Sequence, residues 1–332
     1  MSDRASDTAA PGELRVLIHN SDTAEMADRL HAAQPDARIA TCESYEGLAD
    51  LLAGFRPQAA YSIAFRGRSG FPRDALLGPN GPRWISVGGS GVDHLTPWDA
   101  GQVTVTNSAG VAAPMMAEYV FGCVLHFTLD IDGMAAERAA HRWDGSRLMT
   151  PLQGKTLLIV GLGHTGRAVA ARARAFGMRV IGTRARPEAM QDIDEVHAPA
   201  DLPGLCGQAD VVVLSVPLLA QTRGLVDARA LAAMKPGAIL VDVSRGGVLD
   251  LDAFVNAMRN GPLGAAALDV FPTEPLPADS PVWDLSNVIV SPHCSSVYEG
   301  WNMASFDLFL ENLEHWRRGA ALVNVVDPGR GY

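Results

Sequence analysis

The sequence predicts an α/β protein of two domains, built on parallel sheets that are doubly wound with helices. Apolar runs alternate with segments of helical spacing along most of the 332 residues, the pattern of parallel strands linked by helices. Between Gly154 and Arg186 a strand, a glycine turn, a helix and a second strand follow one another directly. The length itself exceeds that of one ordinary domain.

The first hundred residues form an α/β unit of their own. Leu14–Ile18 is a short apolar strand, Thr23–His31 has the helical spacing of Met26, Ala27 and Leu30, and further strands are expected at 59–65, 84–87 and 103–106. Met1–Gly12 is polar and rich in small residues, which reads as a mobile leader rather than a signal peptide. From Ala112 to Arg138 the chain is apolar with few breakers, and Met116, Val120, Val124 and Phe127 share one face, so one long helix is expected.

The central unit follows Pro151. Leu157–Val160 is an unbroken apolar run, as in a parallel strand covered on both faces. Behind it stands Gly161-Leu162-Gly163-His164-Thr165-Gly166, then an Ala-rich helix over 167–176 that Gly177 is placed to end, then a strand at 179–182. A G-x-G-x-x-G in this setting is a dinucleotide-binding fingerprint. Gly161 permits the tight turn, Gly163 lets backbone approach a pyrophosphate, and Gly166 lets helix and strand pack closely. The helix amino terminus, with His164 and Thr165 in the turn, then presents free N–H groups to phosphate. Strands at 209–216, 239–243, 265–270 and 288–290 alternate with helices at 228–234 and 251–258, and a last helix over 301–317 is expected to cross back to the first domain.

Composition narrows the function. Hydrophobic residues make up 48% and charged residues 19%, enough for sizeable cores. The net charge of -10 gives no electrostatic reason to expect nucleic acid or an anionic membrane. Four scattered cysteines, Cys42, Cys123, Cys206 and Cys294, and no apolar run near 18 residues point to a cytoplasmic protein in a reducing compartment, with no metal implied.

Several separated blocks resemble the D-isomer-specific 2-hydroxyacid dehydrogenases, the family that includes glyoxylate/hydroxypyruvate reductases. They are Ser90-Gly91-Val92-Asp93, Asn107 through Glu118, Leu152–Thr156 with the glycine fingerprint, Val243-Ser244-Arg245-Gly246-Gly247, Asp269-Val270-Phe271-Pro272-Thr273-Glu274-Pro275-Leu276, and Ser291-Pro292-His293. The resemblance implies a Rossmann-type nucleotide domain over 107–295 and a smaller flavodoxin-like substrate domain over 13–106 and 296–332. It implies Arg245, Glu274 and His293 as the catalytic set. Chemistry asks for the same types: a cation for the carboxylate and ketone, a proton donor for the forming alkoxide, and a carboxylate to orient the imidazole. Backbone amides of Ser90 and Gly91 could grip the substrate carboxylate. The resemblance also sets Val216, Pro217, Thr222, Val243, Ser244, Asp269 and Ser295 along the cofactor, with Asp269 at the nicotinamide carboxamide.

The cofactor choice turns on the end of the second strand of the unit. NAD-binding units carry an acidic residue about 20 positions beyond the fingerprint. Here Thr183, Arg184 and Arg186 hold the place and no carboxylate comes before Glu188, so NADP(H) is expected over NAD(H). The chain departs from the family at Ser215, where many relatives have His, at Met115 and Met116, and at Asp130.

The expected activity is NADPH-dependent reduction of glyoxylate or hydroxypyruvate to D-2-hydroxy acids by a homodimer built on the 112–138 helix and the arm to Thr150, with Trp143 either reaching the partner or packed in the core. The rival from another class is a dinucleotide-sensing regulator of the same fold. A formate dehydrogenase is disfavoured by Glu274, and the chain is too short for a phosphoglycerate dehydrogenase with a carboxyl-terminal regulatory domain.

Overall fold

A computed structural model describes residues 13–65 and 68–329. The leader expected over 1–12 lies outside the described residues. One compact unit takes the chain up to Val111 and again from Glu299, and the other is Ala112–Tyr298.

The first unit contains β1 (Arg15–His19), α1 (Ala24–Ala33), β2 (Arg38–Cys42), α2 (Leu48–Phe55), β3 (Ala59–Ser62), α3 (Arg73–Leu76), β4 (Trp84–Val87) and β5 (Thr104–Asn107). The strands are all parallel in the order β2-β1-β3-β4-β5, the flavodoxin arrangement. β3 and β4 are buried throughout, as strands covered on both faces must be. β2 escapes sequence reading because it is a half-exposed edge with no apolar run.

The second unit opens with α4 (Ala113–Thr128) and α5 (Ile131–Ala139). The single helix expected over 112–138 is therefore two. Asp130 takes a left-handed conformation, φ 52°, and its carboxylate accepts the Gly133 amide at 3.2 Å, ending one helix and capping the next. The apolar face of Met116, Val120, Val124 and Phe127 ends within α4, and α5 buries no residue.

Then come β6 (Thr156–Val160), α6 (His164–Ala175), β7 (Arg179–Thr183), β8 (Glu195–His197), α7 (Leu202–Cys206), β9 (Val211–Leu214), α8 (Ala228–Ala232), β10 (Ala238–Asp242), α9 (Leu251–Asn260), β11 (Leu263–Leu268) and β12 (Val288–Val290). The parallel order is β12-β11-β10-β9-β6-β7-β8. It reverses between β6 and β9, and ligands of such sheets bind beyond the carboxyl ends of strands at that switch point. α6 starts one turn earlier than its Ala-rich segment suggests, so His164, Thr165 and Gly166 form its first turn. Gly177 ends it with φ 70°.

The last helix, α10 (Trp301–Arg318), packs Phe306, Phe309 and Leu313 onto Val16, Ile18, Tyr61 and Trp84 of the first sheet. The units part at Val111/Ala112 and Tyr298/Glu299, a few residues beyond the expected 106/107 and 295/296. The reason is local: Asn107 Nδ2 donates to Ser90 O at 2.7 Å, and Ser108 Oγ reaches Val87 O and Ser305 Oγ, so these residues stay with the first sheet.

The carboxyl end of that sheet is closed by rings. His19, at the end of β1, lies 4.8 Å from Phe65 and 5.7 Å from Tyr45 between ring centroids, and Phe71 meets His94 edge-on at 4.5 Å. His19 is fully buried with Nδ1 bonded to Ser62 Oγ at 2.9 Å, and burial pushes its pKa down to about 4.

Candidate active site

The glycine turn sits at the switch point. Gly161 follows β6 with φ 102°, and a Cβ there would stand 2.6 Å from Val216 Cγ1 and 2.8 Å from the Ser215 carbonyl that follows β9. Only glycine fits. At Gly166 a Cβ would fall 2.1 Å from the Gly161 carbonyl, which is the close helix-to-strand packing the motif requires. Gly163 differs, since nothing lies within 4 Å of a Cβ built there. Open space at the amino terminus of a twelve-residue helix is what a pyrophosphate needs, so the residues present fit a dinucleotide.

Around this turn, burial and then the Arg167 guanidinium hold the His164 imidazole below its ordinary pKa, which favours its neutral form. Thr165 Oγ1 contacts Met116 Sδ at 3.5 Å. Thr222 Oγ1 donates to Pro217 O at 2.6 Å and accepts from Leu219 N at 2.7 Å, closing the loop that begins with Val216. Ser215, in the place many relatives give to His, bonds Gly161 O at 2.8 Å.

The residues expected to read the ribose are placed unequally. Thr183 is buried at the end of β7 and offers no open hydroxyl. Arg184 is ion-paired with Glu188 four residues on, and Arg186 is exposed with no ion pair among the described residues. Sequence spacing put both cations at the end of β7 and could not show that Glu188 folds back onto one of them.

At the neighbouring strand ends two of the three catalytic candidates meet. His293 Nδ1 lies 2.8 Å from Glu274 Oε2, with the two side chains 39% and 36% exposed. Glu274 Oε1 accepts the Phe271 amide at 2.9 Å. The turn after β10 abuts the same segment, because a Cβ on Gly246 would fall 1.9 Å from the Phe271 carbonyl. Arg245 Nη1 donates to Ser244 O at 2.7 Å. A carboxylate only accepts, so the imidazole Nδ1 carries the hydrogen and Nε2 is left to exchange a proton.

Val243 and Ser244 are buried rather than lining open space. Ser244 Oγ donates to Asp242 Oδ1 at 2.5 Å and its amide to the same atom at 2.9 Å. Burial raises the Asp242 carboxyl to about 7, with the Asp269 charge adding to the effect.

Asp269 is fully buried too. Its Oδ1 accepts from Ser291 Oγ at 2.5 Å and Cys294 N at 2.8 Å, and its Oδ2 from Ser295 N at 3.0 Å. The carboxylate expected to meet the nicotinamide is thus committed to holding the chain on both sides of His293. Ser295 is buried, with its amide held by this carboxylate.

Ser90 and Gly91 lie in the first unit, after β4. Their loop is pinned through the carbonyls of Gly89 and Ser90, to Ser108 N at 3.0 Å and Asn107 Nδ2 at 2.7 Å. Among the described residues no hydrogen bond takes the Ser90 or Gly91 amide. Sequence reasoning gave no role to Asp242, to Ser291 or to Tyr119, whose hydroxyl meets Ser291 Oγ at 2.7 Å. For Asp242 a signal existed, since a carboxylate inside the apolar run 239–243 demands a partner.

A parallel sheet with a glycine turn at its switch point and a His–Glu pair at its adjoining strand ends defines a dinucleotide-binding α/β protein. The profile described as D-isomer specific 2-hydroxyacid dehydrogenase, NAD binding domain, matches residues 121–295. A D-3-phosphoglycerate dehydrogenase of Methanocaldococcus jannaschii is 34% identical over 259 residues, 77% of this chain and 49% of that protein. The chain thus spans about half the length of that relative. A glyoxylate reductase of Korarchaeum cryptofilum is 32% identical over 234 residues, 68% of this chain and 69% of the relative. The solved D-isomer specific 2-hydroxyacid dehydrogenase of Xanthobacter autotrophicus, in complex with NADPH and MES, superposes with a TM-score of 0.79 at 30% identity, covering 96% of this chain and 99% of that one. The chain belongs to the D-isomer specific 2-hydroxyacid dehydrogenase family. The relatives thus include phosphoglycerate dehydrogenases beside glyoxylate reductases.

Proposed function

We propose that the protein reduces small 2-oxo acids, glyoxylate and hydroxypyruvate foremost, to D-2-hydroxy acids with NADPH. The observation that carries this reading is the His293–Glu274 pair at 2.8 Å, set against the Arg245 turn at the carboxyl ends of the nucleotide-binding sheet. When bound, the nicotinamide supplies the hydride. His293 Nε2 protonates the carbonyl oxygen as it becomes an alkoxide, and Glu274 orients the ring and stabilises its charged form. Arg245 holds the substrate carboxylate through its planar fork of donors; separately, the Ser90 and Gly91 amides of the first unit are offered as contacts for a carboxylate.

The preference for NADPH rests on Arg184 and Arg186 at the end of β7, and the NADPH complex of the Xanthobacter relative is in keeping with it. A 2′-phosphate would take Arg184 over from Glu188. A homodimer in the cytoplasm completes the proposal. Trp143 and Leu148 on the arm are 97% and 93% exposed, which rules out Trp143 as a core residue, and a partner surface accounts for them. The division of labour between a substrate unit and a nucleotide unit belongs to the same proposal.

The deciding experiment is a panel of glyoxylate, hydroxypyruvate and other 2-oxo acids with NADPH and NADH, run beside D-3-phosphoglycerate in the oxidative direction. Turnover of a small 2-oxo acid with NADPH supports the proposal. Turnover of D-3-phosphoglycerate alone replaces its substrate. Cofactor binding with no turnover of anything favours the dinucleotide-sensing regulator.

A further inference from the structure

His293 sits in an uncommon backbone conformation. Its φ of 50° lies in the left-handed region, which a non-glycine residue keeps only when its surroundings impose it. Four hydrogen bonds impose it here. The His293 amide donates to Asp269 O at 2.9 Å, and the Asp269 carboxylate takes the Ser291 hydroxyl and the amides of Cys294 and Ser295, so one buried residue grips the chain before, at and after the histidine.

The clamp extends to a helix. Ser291 has one hydroxyl hydrogen, and Asp269 claims it at 2.5 Å because an ionised carboxylate can only accept. The Tyr119 hydroxyl, 2.7 Å from Ser291 Oγ, must therefore be the donor of the next bond. Burial raises the Tyr119 pKa far above its ordinary value, so the phenol keeps its proton and remains a donor at every working pH. The result is a directed relay, Tyr119 to Ser291 to Asp269, from α4 to the turn that carries His293.

We propose that Tyr119 and Ser291 are positioning residues for His293: their hydroxyls fix the Asp269 carboxylate, which holds the left-handed turn and so aims the imidazole at substrate. The proposal rests on the reading of His293 as the general acid. Hydroxyls in such a chain polarise one another, so loss of the outer one loosens the inner bonds. The relay also explains how a helix far in sequence from the Ser-Pro-His segment bears on its geometry.

The test uses the full chain with Tyr119→Phe, Ser291→Ala and Ser291→Thr, and His293→Ala as reference. Loss of one buried hydrogen bond corresponds to roughly a 5- to 20-fold change. Tyr119→Phe and Ser291→Ala are expected to lower kcat by about that factor while KM for the 2-oxo acid and Kd for the cofactor stay within about twofold. Ser291→Thr, which keeps the hydroxyl, restores kcat. The second readout needs no turnover: hydrogen exchange at the Cys294 and Ser295 amides of the ligand-free protein is expected to quicken in Tyr119→Phe and Ser291→Ala and not in Ser291→Thr. Wild-type kcat and wild-type exchange in Tyr119→Phe would overturn the relay, as would equal losses in Ser291→Thr and Ser291→Ala. If His293→Ala keeps full turnover, the reading of His293 fails instead, and amide exchange still decides the relay on its own.

Discussion

The two sheets of this protein share a parallel topology and differ at their carboxyl ends. In the first, β1 ends in His19, which Tyr45, Phe65 and Phe71 surround, so that rings fill the space beyond that strand. In the second, β6 ends in a glycine turn with open space at Gly163, and β10 and β11 end in buried carboxylates that spend their hydrogen bonds on the loops carrying Arg245 and His293. Aromatic packing needs no geometry beyond filled volume, whereas a site needs side chains held at fixed positions. The contrast supports the proposed placement of the chemistry where topology alone cannot, since one architecture serves both.

The largest effect tests whether proton transfer belongs to the second sheet. His293→Ala should lower kcat by about 10²- to 10⁴-fold, the worth of a positioned acid, with cofactor affinity kept. His19→Gln should leave kcat within a few-fold. Stopped assays with glyoxylate and NADPH compare the two, and equal losses would break the contrast.

Cofactor choice comes next. Arg184→Asp should move the NADPH-to-NADH ratio of kcat/KM about 10- to 100-fold towards NADH, because a charge-assisted hydrogen bond is worth about 1.5–3 kcal/mol. A ratio that does not move would show that the end of β7 does not read the 2′-phosphate.

Acid should separate the units in opposite directions. His19 has its folded pKa depressed from 6.5 to about 4, so the unfolded chain binds the proton first and the first unit loses stability as pH falls through that window. The loss is on the order of 3 kcal/mol, and His94, lowered chiefly by burial, adds the same sign. Asp242 has its folded pKa raised from 3.8 to about 7, so its contribution is fully present below 3.8 and is lost as pH rises through 7. Between pH 7 and 4, amide exchange should therefore quicken in β1 and β3 before β6 and β10. His19→Gln should flatten the response of the first unit alone.

The smallest effect concerns the arm. Replacing Trp143 and Leu148 with Ser should shift sedimentation from dimer towards a 35.2 kDa species at micromolar concentration, with the fold intact. A wild type that sediments only as the smaller species would remove the dimer.

Local chemistry made much of this legible in advance. A glycine that must take φ 102° or meet a carbonyl at 2.1 Å can be nothing else, so Gly161 and Gly166 announce their turn in one dimension. Buried parallel strands are equally plain, because both faces of β6, β9 and β10 must be apolar. Edges and breaks were not legible: β2 and β8 carry mixed side chains at half-exposed edges, and the break at Asp130 depends on one carboxylate turning back to Gly133.

The candidate residues His293, Glu274 and Arg245 could be named from residue type and block order, yet their roles depend on contacts between segments distant in sequence. Tertiary structure alone turned Asp269 inward onto Ser291, Cys294 and Ser295, paired Arg184 with Glu188, and brought the Tyr119 hydroxyl to Ser291 across 172 positions. Periodicity reports which face of an element is buried. It carries no information on which donor meets which acceptor there, because that is decided by the packing of whole elements against one another.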